Sequence, residues 1–362
     1  MKIVIHIGMP KTGSTAIQRS LASNRDLLRK NGILYPINPK PFSNQAKHLI
    51  LLPMLCRGDA EQWKNLPGGD KKIREMYGEE FDFFDFWIND LKSQISSAQP
   101  HTLVLSEEGL FAALAKRKSN IHKNLEDFCS ELAKNITEVK IIGYLRNPAD
   151  YYLSMCQEKI KRYSNIKGFG FANYVGKLKN IRQLYRSQHQ MFAFEKKYFP
   201  QEDVVRHFTK NIISYELASP DMPNETLSAA AMRILEDYWT ITLSKEAGKA
   251  THQEMKSLLS IIRMAEKKLP LPKPILKEEV RSMLMNSMAA DLTWLSEHYD
   301  INYLTPSSIN DNCSSTMANS FKPKKVTDII NIEDDNPYLL LLEVLRQQNN
   351  SMIKNKSIQT IE

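Results

Sequence analysis

The segment Gly8-Met-Pro-Lys11-Thr12-Gly13-Ser14-Thr15 sets two glycines, one lysine and three hydroxyls within eight residues. The spacing Gly8-x-x-x-x-Gly13 is that of a phosphate-binding loop. Backbone N–H groups of such a loop point inward and cradle an anion, helped by the positive end of the helix that follows. Glycines alone would equally suit a bare strand-to-helix turn; the added cation and hydroxyls point to a bound oxyanion. In nucleoside-triphosphate loops a lysine follows the second glycine directly, and the next Ser or Thr holds magnesium. Here Ser14 fills the lysine slot and the lysine sits inside the loop as Lys11. From there it can reach the bridging oxygen on the terminal side of a 5′-phosphate. That suits a donor whose transferred group carries fewer charges and needs no metal.

A second anion grip is written around Arg146. The apolar run Val139–Leu145 ends at Arg146, Asn147 and Pro148 suit a helix start, and Ser154 follows the arginine by eight residues. A guanidinium holds phosphate through two parallel charge-assisted bonds. Ser154, two helical turns on, reaches the same group if the helix runs beside it. Arg146 could instead serve the fold, paired with Asp150. A third polar cluster, Ser106-Glu107-Glu108-Gly109, follows the apolar run His101–Leu105.

Elements must position these groups. Lys2–Ile7, His101–Leu105 and Val139–Leu145 are short apolar runs without alternation, the pattern of strands buried on both faces of a parallel sheet. Apolar spacing at Ile17, Leu21, Leu27 and Leu28 predicts a helix over 14–30, closed by Asn31-Gly32. Further helices are expected over 46–55, 79–97 (Phe81, Phe84, Ile88, Leu91 and Ile95 on one face), 119–134, within 171–199 and through most of 225–304. Asp203–Phe208 reads as another strand. The Ser- and Asn-rich stretch 305–328 reads as a linker, Tyr338–Leu345 as a last short helix, and the remainder as a polar tail. The expected fold is α/β: a parallel sheet flanked by helices, with a P-loop-type nucleotide-binding core and additional helices in the C-terminal half. One domain is expected over 1–304, with 305–362 appended. In such sheets ligands sit beyond the carboxyl ends of the strands, where all three polar clusters fall.

Composition narrows the classes. The chain has 362 residues, 42% hydrophobic and 25% charged, which is globular rather than disordered. A net charge of +8 favours anionic partners. Cys56, Cys129, Cys156 and Cys313 have neither metal-ligand nor redox spacing, and the N-terminal apolar run is too short for a secretion signal. A cytoplasmic protein without a transmembrane segment, a metal or a nucleic-acid-reading motif is expected.

Pro10-Lys-Thr-Gly-Ser-Thr15 resembles the 5′-phosphosulfate loop of sulfotransferases that use 3′-phosphoadenosine 5′-phosphosulfate (PAPS). Arg146-Asn-Pro148, with Ser154, resembles that family's second motif. The likeness covers roughly residues 1–160. Gln157, Phe199–Arg206 and Asn224–Ser228 extend it more weakly toward bacterial carbohydrate-type members. The resemblance implies that Lys11 stabilises the leaving phosphate and that Thr12, Gly13, Ser14 and Thr15 hold the 5′-phosphate and sulfuryl oxygens. It implies that Arg146 and Ser154 bind the 3′-phosphate. It further implies PAPS as co-substrate and a hydroxyl-bearing acceptor, with a saccharide or glycan precursor favoured.

Sulfuryl transfer to a hydroxyl calls for a general base. Glu108 is the first candidate, since Ser-x-Glu follows the corresponding strand in bacterial members; a carboxylate there could also serve only a helix N-terminus. Glu107 is its neighbour and rival. His48 is the second candidate, and His6, on the first strand, reads as structural. A kinase or nucleoside triphosphatase with a variant loop and a non-catalytic nucleotide-binding scaffold are the alternatives.

Overall fold

Lys2–Ile7 is apolar after the lysine at every position but His6, and from Ile3 onward every residue of the strand is buried. A strand covered on both faces has to lie inside a sheet. The computed structural model, which describes residues 1–39, 46–48, 51–55, 83–113, 121–133, 135–166, 174–185, 189–220, 226–243, 251–269, 271–304, 321–333 and 336–345, puts this strand (β1) at the centre of five. The others are β2 (Ile33–Leu34), β3 (Thr102–Glu107), β4 (Glu138–Leu145) and β5 (His189–Ala193), in the order β2-β3-β1-β4-β5. All four pairings are parallel. The expected α/β fold with a parallel sheet flanked by helices is therefore the fold found.

The described chain divides into two compact units. The first comprises Met1–Asn147, Asn173–Met222 and Trp294–Ile301 and holds the sheet. One sheet face presents Val4, Val104, Ile142 and Tyr144 to Ile17 and Leu21 of the first helix and to Val205, Phe208 and Ile212. Burial of these side chains is the main driving force for this layer, at roughly 1.5–3 kcal/mol each. The expected helix 14–30 breaks at Asn24, whose backbone leaves the helical region (φ −111°, ψ 21°) and whose side-chain Nδ2 donates to Ser20 O at 2.8 Å. Two helices result, Ser14–Ser23 and Arg25–Lys30.

Two strands and one helix depart from the sequence reading. β2 is only two residues long, too short for a periodic signal. β5 lies at the sheet edge, where burial alternates through His189–Ala193, so its polar residues do not look like a core strand. The expected strand Asp203–Phe208 is instead a helical turn, Val204–Arg206, widening into a π-turn over His207–Ile212. Asp203 decides this locally. Its Oδ1 accepts from Val205 N at 2.7 Å and Arg206 N at 3.4 Å, outweighing the β-preference of the two valines. The same carboxylate accepts from Ser219 N at 3.1 Å and Ser219 Oγ at 2.6 Å, tying the turn to the following loop. Of the helices expected over 46–55 and 79–97, Leu51–Leu55 and Phe83–Ala98 are helical; 49–50, 56–82 and thus Phe81 lie outside the described residues.

The second unit comprises Pro148–Ala172, Pro223–Thr293 and Asn302–Glu362 and is helical. Its helices include Pro148–Ile160, Ala229–Thr242, His252–Glu266 and Glu278–Ser287. Buried Glu236 accepts from Val326 N at 2.8 Å, and Lys277 N donates to Ile329 O at 2.9 Å. Within the stretch read as a linker, residues 321–328 are thus packed against these helices, while 305–320 fall outside the described residues. Residues 336–345 are helical, as the sequence suggests. No described helix is long and apolar enough to cross a membrane.

Replacing Asp203 with Ala removes a helix cap and leaves four donors, Val205 N, Arg206 N, Ser219 N and Ser219 Oγ, without their acceptor. The expected loss is about 1–2 kcal/mol in urea unfolding. An unchanged midpoint would show that the valine-rich turn holds itself.

Candidate functional site

Strand register brings the polar clusters level. Ile7, the last residue of β1, pairs with Glu107 of β3 on one side and Gly143 of β4 on the other. Gly8 N then donates to Glu107 O at 3.4 Å. Chain order reverses across β1 and β4, the place where open α/β sheets bind ligands.

The loop after β1 is bent by left-handed backbone at Lys11 (φ 67°) and Gly13 (φ 76°). Glycine adopts that conformation freely, whereas lysine does so at a cost of order 1 kcal/mol, which surrounding structure must sustain. Buried Thr12 helps, its Oγ1 donating to Met9 O at 2.6 Å. Gly8 is a place of close approach. A Cβ there would stand 2.6 Å from Ser14 Oγ and 2.8 Å from Glu108 Cγ. Only glycine lets the loop, the start of the helix and Glu108 converge. A Cβ on Gly13 has an ordinary tetrahedral direction that would meet Val204 Cγ1 at 2.8 Å and Phe194 Cε2 at 3.1 Å.

The helix Ser14–Ser23 has no side-chain cap. Ala16 N and Ile17 N of its first turn donate to Gly13 O at 2.9 and 3.1 Å, so the N–H groups of Ser14 and Thr15 ahead of them are the ones placed for an anion. Ser14 Oγ is buried with no hydrogen-bond partner among the described residues. An uncapped helix start, an orphaned hydroxyl and half-buried Lys11 and Thr15 on one turn fit a tetrahedral oxyanion.

Arg146 follows β4, and its Nη1 donates to Lys11 O at 3.0 Å. Its Cζ also lies 5.8 Å from the centre of the Phe194 ring, the ring that crowds Gly13. The guanidinium is thus docked on the loop after β1 itself. Asp150, its alternative partner in the sequence reading, bonds instead to Arg281 Nη2 at 2.6 Å within the second unit. Ser154 belongs to that unit, half-buried on the helix Pro148–Ile160.

The candidate bases sit in three different environments. Glu108 is partly exposed beside Gly8, and its Oε2 accepts from Lys47 Nζ at 3.2 Å. Glu107 is buried; desolvation raises its carboxyl to about 7 despite the bond from Gly109 N and nearby Lys47, and its Oε2 has no partner among the described residues. His48 is fully buried, with Nδ1 accepting from Ser106 N at 3.0 Å and Nε2 facing Pro36 O at 3.1 Å. That pairing fixes one neutral tautomer, and burial lowers the ring to about 4. His6 is likewise buried and lowered to about 4; its Nδ1 meets Ser106 Oγ at 2.7 Å, which also accepts from Gln18 Nε2 at 3.0 Å. Both histidines thereby anchor Ser106 from beneath, and Ser106 leads directly to the two glutamates.

Two site residues escaped the sequence reading. Lys47 is remote in sequence from Glu108, and nothing nearby marks it. Phe194 directly follows β5, a strand that was itself not anticipated. Among the described residues no group of three or more His, Cys, Asp or Glu is placed to hold a metal ion.

No protein-family model matches the chain, and no curated protein matches it. Among solved structures, a sulfotransferase from Alicyclobacillus acidocaldarius is similar at 14% identity and a TM-score of 0.35, over 66% of this chain and 90% of that one. A sulfotransferase domain from the curacin biosynthetic pathway is similar at 15% identity and a TM-score of 0.31, over 71% and 96% of the two chains.

The raised Glu107 carboxyl has a signed consequence. Unfolded, the group ionises from about 4.5; folded, it keeps its proton up to about 7. Between those values the native state binds more protons, so its contribution to stability is full below the lower value and is lost as pH rises through the upper one. Glu107→Gln keeps the acceptor for Gly109 N and cannot ionise. Its melting temperature should gain on wild type between pH 5 and pH 8; a constant difference would mean that Glu107 ionises normally.

Proposed function

We propose that this protein transfers a sulfuryl group from PAPS to a hydroxyl of an acceptor, with a saccharide or glycan precursor as the favoured acceptor class. The observation that carries this reading is Arg146 bonded to the carbonyl of Lys11. It sets a second anion-holding side chain against a loop already suited to a tetrahedral oxyanion, as a donor with a phosphate at each end requires.

In this reading the acceptor oxygen attacks sulfur in line as the bond from sulfur to the bridging phosphate oxygen breaks. That oxygen leaves with the electron pair on adenosine 3′,5′-diphosphate. Lys11 and the helix start stabilise the charge that gathers there, an effect worth about 10²–10³ in rate per donor. Glu108 takes the hydroxyl proton, with Lys47 orienting its carboxylate beside Gly8. His48 is left as an anchor of the strand end because both ring nitrogens already face backbone partners. Arg146 holds the 3′-phosphate and so selects against ATP. The buried free thiols of Cys129 and Cys156 suit the reducing cytoplasm as its place of work.

Thermal melting with ligands separates this reading from a variant triphosphatase. Adenosine 3′,5′-diphosphate at 100 times its dissociation constant should stabilise the protein by about 2.7 kcal/mol, with ATP and GTP giving much less. Preference for a triphosphate with magnesium would overturn it. With PAPS and an accepted acceptor, Glu108→Gln should lower kcat by about 10²–10⁴ while diphosphate binding survives. Gly8→Ala should abolish binding, because its Cβ would occupy the space of Ser14 Oγ and Glu108 Cγ. Full turnover in either variant contradicts the assigned geometry.

A further inference from the structure

The second unit carries a basic cavity that the proposed reaction leaves unexplained. About 650 Å³ in volume, it lies between the C-terminal end of the helix Pro148–Ile160 and the helix His252–Glu266. Such a volume is within the range of small-molecule sites. Its walls bring together Lys161, Arg162, Lys256, Arg263 and Lys267, with Glu158 as the sole carboxylate among the described residues that line it. Lys256 and Arg263 lie about two helical turns apart and Lys267 follows Arg263 by one more, so these three cations share one face.

Like charges this close repel, and folded proteins normally offset them with carboxylates. Among the described residues only Lys161 has one, bonded to Glu158 at 2.5 Å; its side chain is 7% exposed. Arg162 turns its Nε to Met255 Sδ at 3.1 Å, and its Nη2 faces His252 Nδ1 at 3.5 Å. Neither contact neutralises a cation. Arg263 Nε is buried with no hydrogen-bond partner among the described residues. A buried, unpaired guanidinium N–H costs about 1–3 kcal/mol or more. Lys256 and Lys267 have no carboxylate partner among the described residues either. Tyr163 and Leu259 add an apolar wall. Cations lodged in a concave, partly apolar space, with a buried donor unsatisfied, are what a small polyanion would complete.

We propose that this cavity is a binding site for a small molecule bearing at least two negative oxyanion charges, as sulfate or phosphate esters. Arg263 and Lys161 form its floor, and Arg162, Lys256 and Lys267 its rim. The site is built only from the second unit, so it does not depend on the sulfuryl-donor reading.

The test is calorimetric titration of the full chain with inorganic pyrophosphate, glucose 6-sulfate and glucose, at low and at high salt. Pyrophosphate or the sulfated sugar should bind, glucose should not, and salt should weaken binding. Preference for glucose 6-sulfate assigns the anion to a sulfated sugar; preference for pyrophosphate assigns it to a phosphorylated compound. Arg263→Gln should weaken binding at least tenfold. The double variant K256E/K267E, changed only at exposed positions, should do the same with an unaltered melting temperature. Lys11→Ala, which impairs the phosphate loop, should leave this binding in place. The proposal is overturned if no anion binds, if binding survives both cavity variants, or if it vanishes in Lys11→Ala alone.

Discussion

The bond from Arg146 Nη1 to Lys11 O joins the ends of two neighbouring parallel strands, and the site depends on it. Lys11 holds a backbone conformation that lysine does not favour. Such strain persists only where neighbours over-determine it. The guanidinium supplies one such constraint, Thr12 Oγ1 on Met9 O a second, and Phe194 against both Gly13 and Arg146 a third. One arginine therefore shapes the loop and also brings its own charge to it. Oxyanion chemistry benefits from such preorganisation, because donors fixed before the ligand arrives need not reorganise during reaction.

Beneath the loop the sheet supplies rigidity. Each strand end that bears a polar cluster is buried and in register with its neighbour, so a sub-ångström change in one is felt by the next. The polar network of His6, Ser106, Gln18 and His48 is unusual within such a core. It holds neutral histidines under the carboxyl end of β3 and leaves the partly exposed Glu108 as the carboxylate with access to solvent. Two adjacent glutamates thus receive opposite environments: Glu107 buried with a raised carboxyl, Glu108 beside Lys47 at the loop.

How much of this could be read from the sequence follows from the range of the forces involved. The loop, its helix and the three central strands are encoded within short windows, by glycine spacing and unbroken apolar runs, and all were legible. Arg146 stood out because it ends such a run. What could not be read depends on distant partners. β5 looks helical because its edge position tolerates polar residues, and the 203–212 turn looks extended because its valines mask the cap made by Asp203. Lys47 and Phe194 matter only through residues far away in the chain. The packing of 321–328 was hidden for a similar reason: the segment is mostly polar, and its few apolar residues find their partners on remote helices.

The central claim is that Arg146 recognises a 3′-phosphate rather than merely bracing the loop. It is tested most directly by measuring the affinity of wild type and Arg146→Ala for adenosine 3′,5′-diphosphate and for adenosine 5′-monophosphate. The account predicts that the substitution costs at least tenfold for the diphosphate and little for the monophosphate, erasing the preference between them. An equal loss for both ligands would contradict it, reducing Arg146 to a brace.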